Sequence, residues 1–221
     1  MVNTRTGKLA PLSGVVFVVL VAASTALINL YEYLPEAESL TTQMAGRASQ
    51  IALGGYLGLV GAFFLIWFAG SVYGRLREVE GGTGRLATLA FGGGALAGVL
   101  SAVSFVLVMI AGQRAGTPGG LDPVAAVTLY DAWGAIMGSA MPVMMAVLVG
   151  ATAGVALQKG GFPAWFGWLS IAIAVGLVSP ISYIVIGFGV LWVVVVSIWL
   201  TVRGTRGTAG AASGEMVAEA A

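Results

Sequence analysis

Few residues in this chain could do chemistry. Asp131 is the one acid placed where it could enter an apolar span, and Arg114 lies in the same predicted outer region. An ionisable group inside a membrane is a functional hypothesis by default, as a proton carrier or the partner of an opposite charge. The local sequence favours a plainer place for Asp131. It is flanked by the interfacial side chains Tyr130 and Trp133, and Asp122-Pro123 upstream reads as a helix start. A carboxylate early in a helix is favoured by the unpaired N–H groups there. We therefore place Asp131 at the rim of a span, with a buried role as the alternative. An enzyme built on Asp131 and the outer glutamates Glu32, Glu36 and Glu38 would need two carboxylates to converge, which spacing alone does not provide.

A second candidate is the glycine-rich run Arg75-Leu76-Arg77-Glu78-Val79-Glu80-Gly81-Gly82-Thr83-Gly84-Arg85. It has no Gly-Lys-Ser/Thr and follows no strand, so it does not read as a phosphate cradle. A short turn whose basic residues meet anionic headgroups fits better. The chain has no Cys and no His, which removes disulfides, thiolate catalysis, zinc and haem ligation by these residues, and triads needing an imidazole. No basic patch is large enough for nucleic acid. We assign no catalytic residue, no metal and no cofactor.

The elements that would position these residues are apolar. The 221 residues are 58% hydrophobic and 9% charged, with a mean hydropathy of +0.98. A soluble domain carries about a quarter charged residues. The reading is an all-α, polytopic transmembrane helix bundle. Spans of about 20 apolar residues are expected at about 11–30, 51–73, 86–111, 133–157, 164–179 and 181–200. The last two divide one long apolar region at the turn signal Ser179-Pro180. The domain is thus 1–203, and the small, polar segment 204–221 is expected to be a disordered tail. Six spans with both termini in the cytoplasm put Arg5, Lys8, Arg75, Arg77, Arg85, Lys159, Arg203 and Arg206 inside, and leave only Arg47 and Arg114 outside. Tyr31, Tyr33, Tyr130, Trp133 and Tyr183 fall at the outer belt, and Tyr73, Trp165, Trp168 and Trp199 at the inner one. The preference for Arg over Lys and the Ala, Gly and Val load fit a bacterial inner-membrane chain.

Small residues recur every four positions. The fourth span carries Gly134, Gly138, Pro142, Ala146, Gly150 and Gly154; the second carries Gly54, Gly58 and Ala62; the third carries Ala90, Gly94, Gly98 and Ala102. Such ridges let helix backbones approach closely in lipid. Packing inside one bundle is the preferred reading, and a seam with a second copy or another membrane subunit is the alternative. Pro142 removes a backbone hydrogen bond and is expected to kink its helix. Met137, Met141, Met144 and Met145 surround it, as gap fillers or as the wall of an adaptable cavity.

Phe162-Pro163-Ala164-Trp165-Phe166-Gly167-Trp168-Leu169 resembles a Pro-x-Trp-Leu/Phe-Gly-Trp-Leu motif. That motif opens the penultimate helix in a broad group of uncharacterised, mainly actinobacterial, polytopic membrane proteins. The resemblance implies a six-helix membrane protein and carries over no activity. The expectation is a non-enzymatic structural or accessory subunit of a membrane assembly, in contact with lipids and with copies of itself or other subunits. The alternative is a small transporter or lipid-binding protein with a cavity near Pro142.

Overall fold

The computed structural model describes residues 10–30, 36–159, 162–180 and 182–219, with side chains up to 202. Arg5, Lys8, Tyr31, Glu32, Tyr33, and the side chains of Arg203 and Arg206 lie outside the described residues. The described chain is helical throughout. A 3-10 turn, Ala10–Leu12, leads into α1 (Ser13–Ile28). Then come α2 (Ala37–Gly46), α3 (Ala48–Glu80), α4 (Arg85–Ala115), α5 (Pro123–Ala135), α6 (Met141–Lys159), α7 (Ala164–Val178) and α8 (Ser182–Glu219). A π-helical stretch, Ile136–Ala140, joins α5 to α6, so that Pro123–Lys159 runs as one helical segment.

Five segments are long and apolar enough to cross a membrane: Ala10–Ile28, Ala48–Glu80, Arg85–Ala115, Pro123–Lys159 and Ser182–Val202. The chain is therefore a helical bundle of the multi-pass kind. Between them, α7 has 15 residues, or about 22 Å at 1.5 Å per residue, short of the roughly 30 Å of a hydrocarbon core. The turn between α7 and α8 holds Ser179-Pro180. The backbone of α8 runs on to Glu219.

The helices pack in a ring: α1 on α3, α3 on α4, α4 on α6, α6 on α7, α7 on α8, and α8 back on α1. Two apolar clusters result. The larger one joins Phe17, Leu65, Phe68, Leu148, Val149, Leu177 and Trp192. The smaller one joins Ile28, Leu40, Met44, Ile51, Phe105, Val108 and Ala126 at the opposite end from the Arg75–Arg85 turn.

Helix ends are tied by side chains. Asp122 accepts hydrogen bonds from the N–H groups of Val124 (3.0 Å) and Ala125 (3.1 Å), with Pro123 in the first turn, so α5 starts where the sequence signal lies. Asn29 takes a left-handed conformation (φ 40°) and closes α1. Arg47 then donates to the last carbonyls of α1, those of Leu27 (3.0 Å), Ile28 (3.4 Å) and Asn29 (3.1 Å). These groups have no partner within the helix. Arg47→Ala is expected to destabilise the bundle by about 1–3 kcal/mol, the usual cost of stranding such acceptors. Thermal unfolding in detergent would check it.

At the other end, past the apolar part of α3, Glu80 receives the N–H groups of Leu86 (3.0 Å) and Ala87 (2.8 Å) at the start of α4. Those two N–H groups, the Leu86 one foremost, hold its carboxyl below the usual carboxylate range, with a smaller contribution from the Lys159 charge. A lowered pKa means the cap contributes at pH values above the ordinary carboxylate range, and the contribution is lost as pH falls through the lowered value. Glu80→Gln is expected to lower the thermal midpoint near neutrality and to flatten its decline in acid.

Candidate functional site: an apolar groove beside Pro142

The site begins with one missing hydrogen. Pro142 has no N–H, so the carbonyl four residues back, that of Gly138, loses its helical donor. The chain adapts over Ile136–Ala140 by widening to a π turn, in which the Met141 N–H reaches the Ile136 carbonyl. The freed Gly138 carbonyl accepts instead from Ser182 Oγ at 2.8 Å. Ser182 is the first residue of α8. The expected disturbance at Pro142 is thus real, and it is latched to the α7–α8 turn. Carbonyls at membrane depth need such partners.

Beside this latch lies a groove of about 610 Å³, within the size range of ligand sites. Helix α6 contributes Val143, Ala146 and Val147; α7 contributes Ala174, Val175 and Val178, and Ser179 follows at the turn. The groove is broad and open. Its two helices close together nearer the other end. There a Cβ on Gly167 would come within 2.7 Å of Leu157 Cγ, and one on Gly150 would lie 3.7 Å from Ala174. Ser179 Oγ already donates to the Gly176 carbonyl at 2.6 Å. No acid or base lines the groove. It can hold apolar matter by shape and contact, such as an acyl chain, an apolar molecule or a helix.

The small-residue ridge on this long helix divides. Gly134 is exposed, and neither Gly134 nor Gly138 has anything within 4 Å of where a Cβ would stand. Ala146 lines the groove, and Gly154 meets Leu86 at 3.3 Å. The ridges of the other spans are packed. A Cβ on Gly54 would meet Ile28 at 2.9 Å, and Ser24 Oγ donates to the Gly54 carbonyl at 2.6 Å. Gly58 lies against the Phe105 ring; Gly94 faces Ala69 (2.6 Å) and Gly98 faces Ile66 (2.5 Å). Met141 and Met145 are buried in the larger cluster and are not part of the groove wall.

Asp131 and Arg114 are both exposed, on α5 and at the end of α4, and neither makes an ion pair among the described residues. The one ion pair among the described residues is Arg75–Glu78. Asp131 stands apart from the groove. No cluster of three or more His, Cys, Asp or Glu is placed to hold a metal among the described residues.

Three features escaped the sequence reading. Gly55, Gly93 and Gly112 make the tightest backbone approaches, with a Cβ falling 2.6–2.7 Å from Met109, Leu148 N and Ala52 N respectively. The Ser182 latch pairs residues far apart in sequence. The motif Phe162–Leu169 builds an aromatic ladder: Phe162 stacks on Trp199 (5.8 Å) and Phe166 (5.2 Å), and Phe166 stacks on Trp192 (6.3 Å). Trp192 Nε1 donates to Ser170 Oγ at 2.9 Å. Trp165 and Trp168 point outward, 64% and 66% exposed, as interfacial rings do.

No protein-family model, no curated protein and no solved structure matches the chain.

Proposed function

We propose that this chain is a non-enzymatic, six-span protein of a bacterial inner membrane, with both termini cytoplasmic, acting as a structural or accessory subunit of a membrane assembly. The observation that carries the reading is the open face of the long helix. On α6 an apolar groove lined by Val143, Ala146 and Val147 opens on the surface, and further along the long helix a Cβ on Gly134 or Gly138 would meet nothing within 4 Å. The apolar lining of that groove, Ala146 and Ala174 beside Val143 and Val147, leaves room for another helix to pack closely in the membrane. The sixth span is α7, whose short length is made up at its start by the interfacial Trp165 and Trp168. The eight-to-two division of basic residues supports the orientation.

Extraction in mild detergent followed by native mass spectrometry tests the role. A stoichiometric second polypeptide, or a second copy of the chain, is the expected result; a bare monomer argues against it. The groove volume of about 610 Å³ favours one second reading, a lipid-binding or small apolar-ligand protein. In that case the same spectrum carries a lipid-sized adduct on a single chain, and Ala146→Phe removes it.

A further inference from the structure

We infer that the bundle stands in two tiers, and that the outer tier is an extramembrane cap. The cap comprises α2, α5, the first turns of α3 and the last turns of α4. The inference rests on the membrane reading above but not on the accessory role.

Length comes first. Ala48–Glu80, Arg85–Ala115 and Pro123–Lys159 have 33, 31 and 37 residues, or about 50, 46 and 55 Å. The hydrocarbon core is about 30 Å, spanned by about 20 residues. Helix α4 starts with Arg85 and α6 ends with Lys159, on the same side, so their surplus lies at the other end. Counting about 20 residues from each charge brings α4 out of the core near Phe105 and the long helix out near Ser139. Ser139 falls within the π stretch, and the Ser182–Gly138 hydrogen bond brings the α7–α8 turn to that level.

Packing agrees. The segments past these points share the smaller apolar cluster, in which Leu40 and Met44 of α2, Ile51 of α3, Val108 of α4 and Ala126 of α5 are buried together. Surface chemistry agrees as well. In the outer tier Thr42, Gln50, Gln113, Thr128 and Asp131 are exposed, with Val124 and Ile110 as exposed apolar residues among them. Below it, the exposed residues of the same three helices include Phe63, Val99, Val143 and Val147. A buried core with a polar outer face is the arrangement of a module in water, whereas a lipid-facing surface is apolar. Asp131 and Arg114 then stand in water on the cap, and the π turn marks where the long helix leaves the lipid.

The chain has no cysteine, so single reporters are unambiguous. Thr42→Cys, Gln113→Cys, Thr128→Cys and Asp131→Cys would be treated with a membrane-impermeant maleimide, on intact cells and on inverted vesicles. Val99→Cys and Val143→Cys serve as membrane-tier controls. The expected result is labelling of all four cap positions from one and the same side, while the controls react only after detergent is added. Cap positions that stay unlabelled from both sides, yet react in detergent, would overturn the inference. The side that labels reports orientation separately, so an inverted protein still shows the cap.

Discussion

Replacing Gly93 with leucine is expected to destabilise the folded bundle strongly, whereas Gly134→Leu leaves it unchanged. At Gly93 a Cβ would stand 2.7 Å from the Leu148 nitrogen and the Val147 Cβ, and 2.8 Å from the Met144 carbonyl oxygen. Two of these three are backbone atoms, which cannot swing aside as a side-chain tip can. Overpacking a fitted contact typically costs about 1–3 kcal/mol, and a leucine at this spacing must push α4 and α6 apart. At Gly134 nothing lies within 4 Å. Thermal unfolding in detergent separates the two, with Gly93→Leu lowering the midpoint and Gly134→Leu leaving it in place. Equal behaviour of the two variants would contradict the packing described here.

The second large effect is expected at Trp192. Its ring is stacked on Phe166 and meets Phe68 edge-on at 6.5 Å, joining α7 and α8 to α3. Trp192→Ala is expected to cost about 3–5 kcal/mol, the range for removing a large buried aromatic. Trp192→Phe keeps most of the contact and loses the bond to Ser170 Oγ, which still donates to the Phe166 carbonyl at 2.8 Å. Its cost is about 1 kcal/mol. The difference between the two midpoints measures the ladder. An alanine variant as stable as the phenylalanine one would mean that stacking holds nothing together.

The glycines explain what was legible in the sequence. A four-residue period identifies a helix face, and Gly54, Gly58, Gly94 and Gly98 each lie against another helix. The period does not say how many neighbours a helix has. Gly54 meets α1 while Gly55 meets α4; Gly94 meets α3 while Gly93 meets α6. Each adjacent pair marks a helix held between two others, because neighbouring residues point about 100° apart. Reading the doublets, and not only the ladders, would have found both seams. The most regular ladder, from Gly134 to Gly154, is the least packed, because periodicity carries no information about what stands opposite.

The same limit applies elsewhere. The start of α5 was visible at Asp122-Pro123, since its capping chemistry is local. The latch from Ser182 to Gly138 was not, since it joins a proline's lost hydrogen bond to a serine more than forty positions away. The aromatic motif was visible as a string, but which rings turn inward depends on the packing of α7 against α8. Arg47 looked like a stray outer charge, yet it caps α1 through three carbonyls.

The groove beside Pro142 is proposed to seat another polypeptide. A photo-crosslinking amino acid at Val143, activated in native membranes, tests it most directly. One discrete crosslinked product is expected, heavier than the chain by a whole polypeptide and lost when Ala146 is changed to Phe. Products consisting only of the chain and its lipid adducts would contradict it.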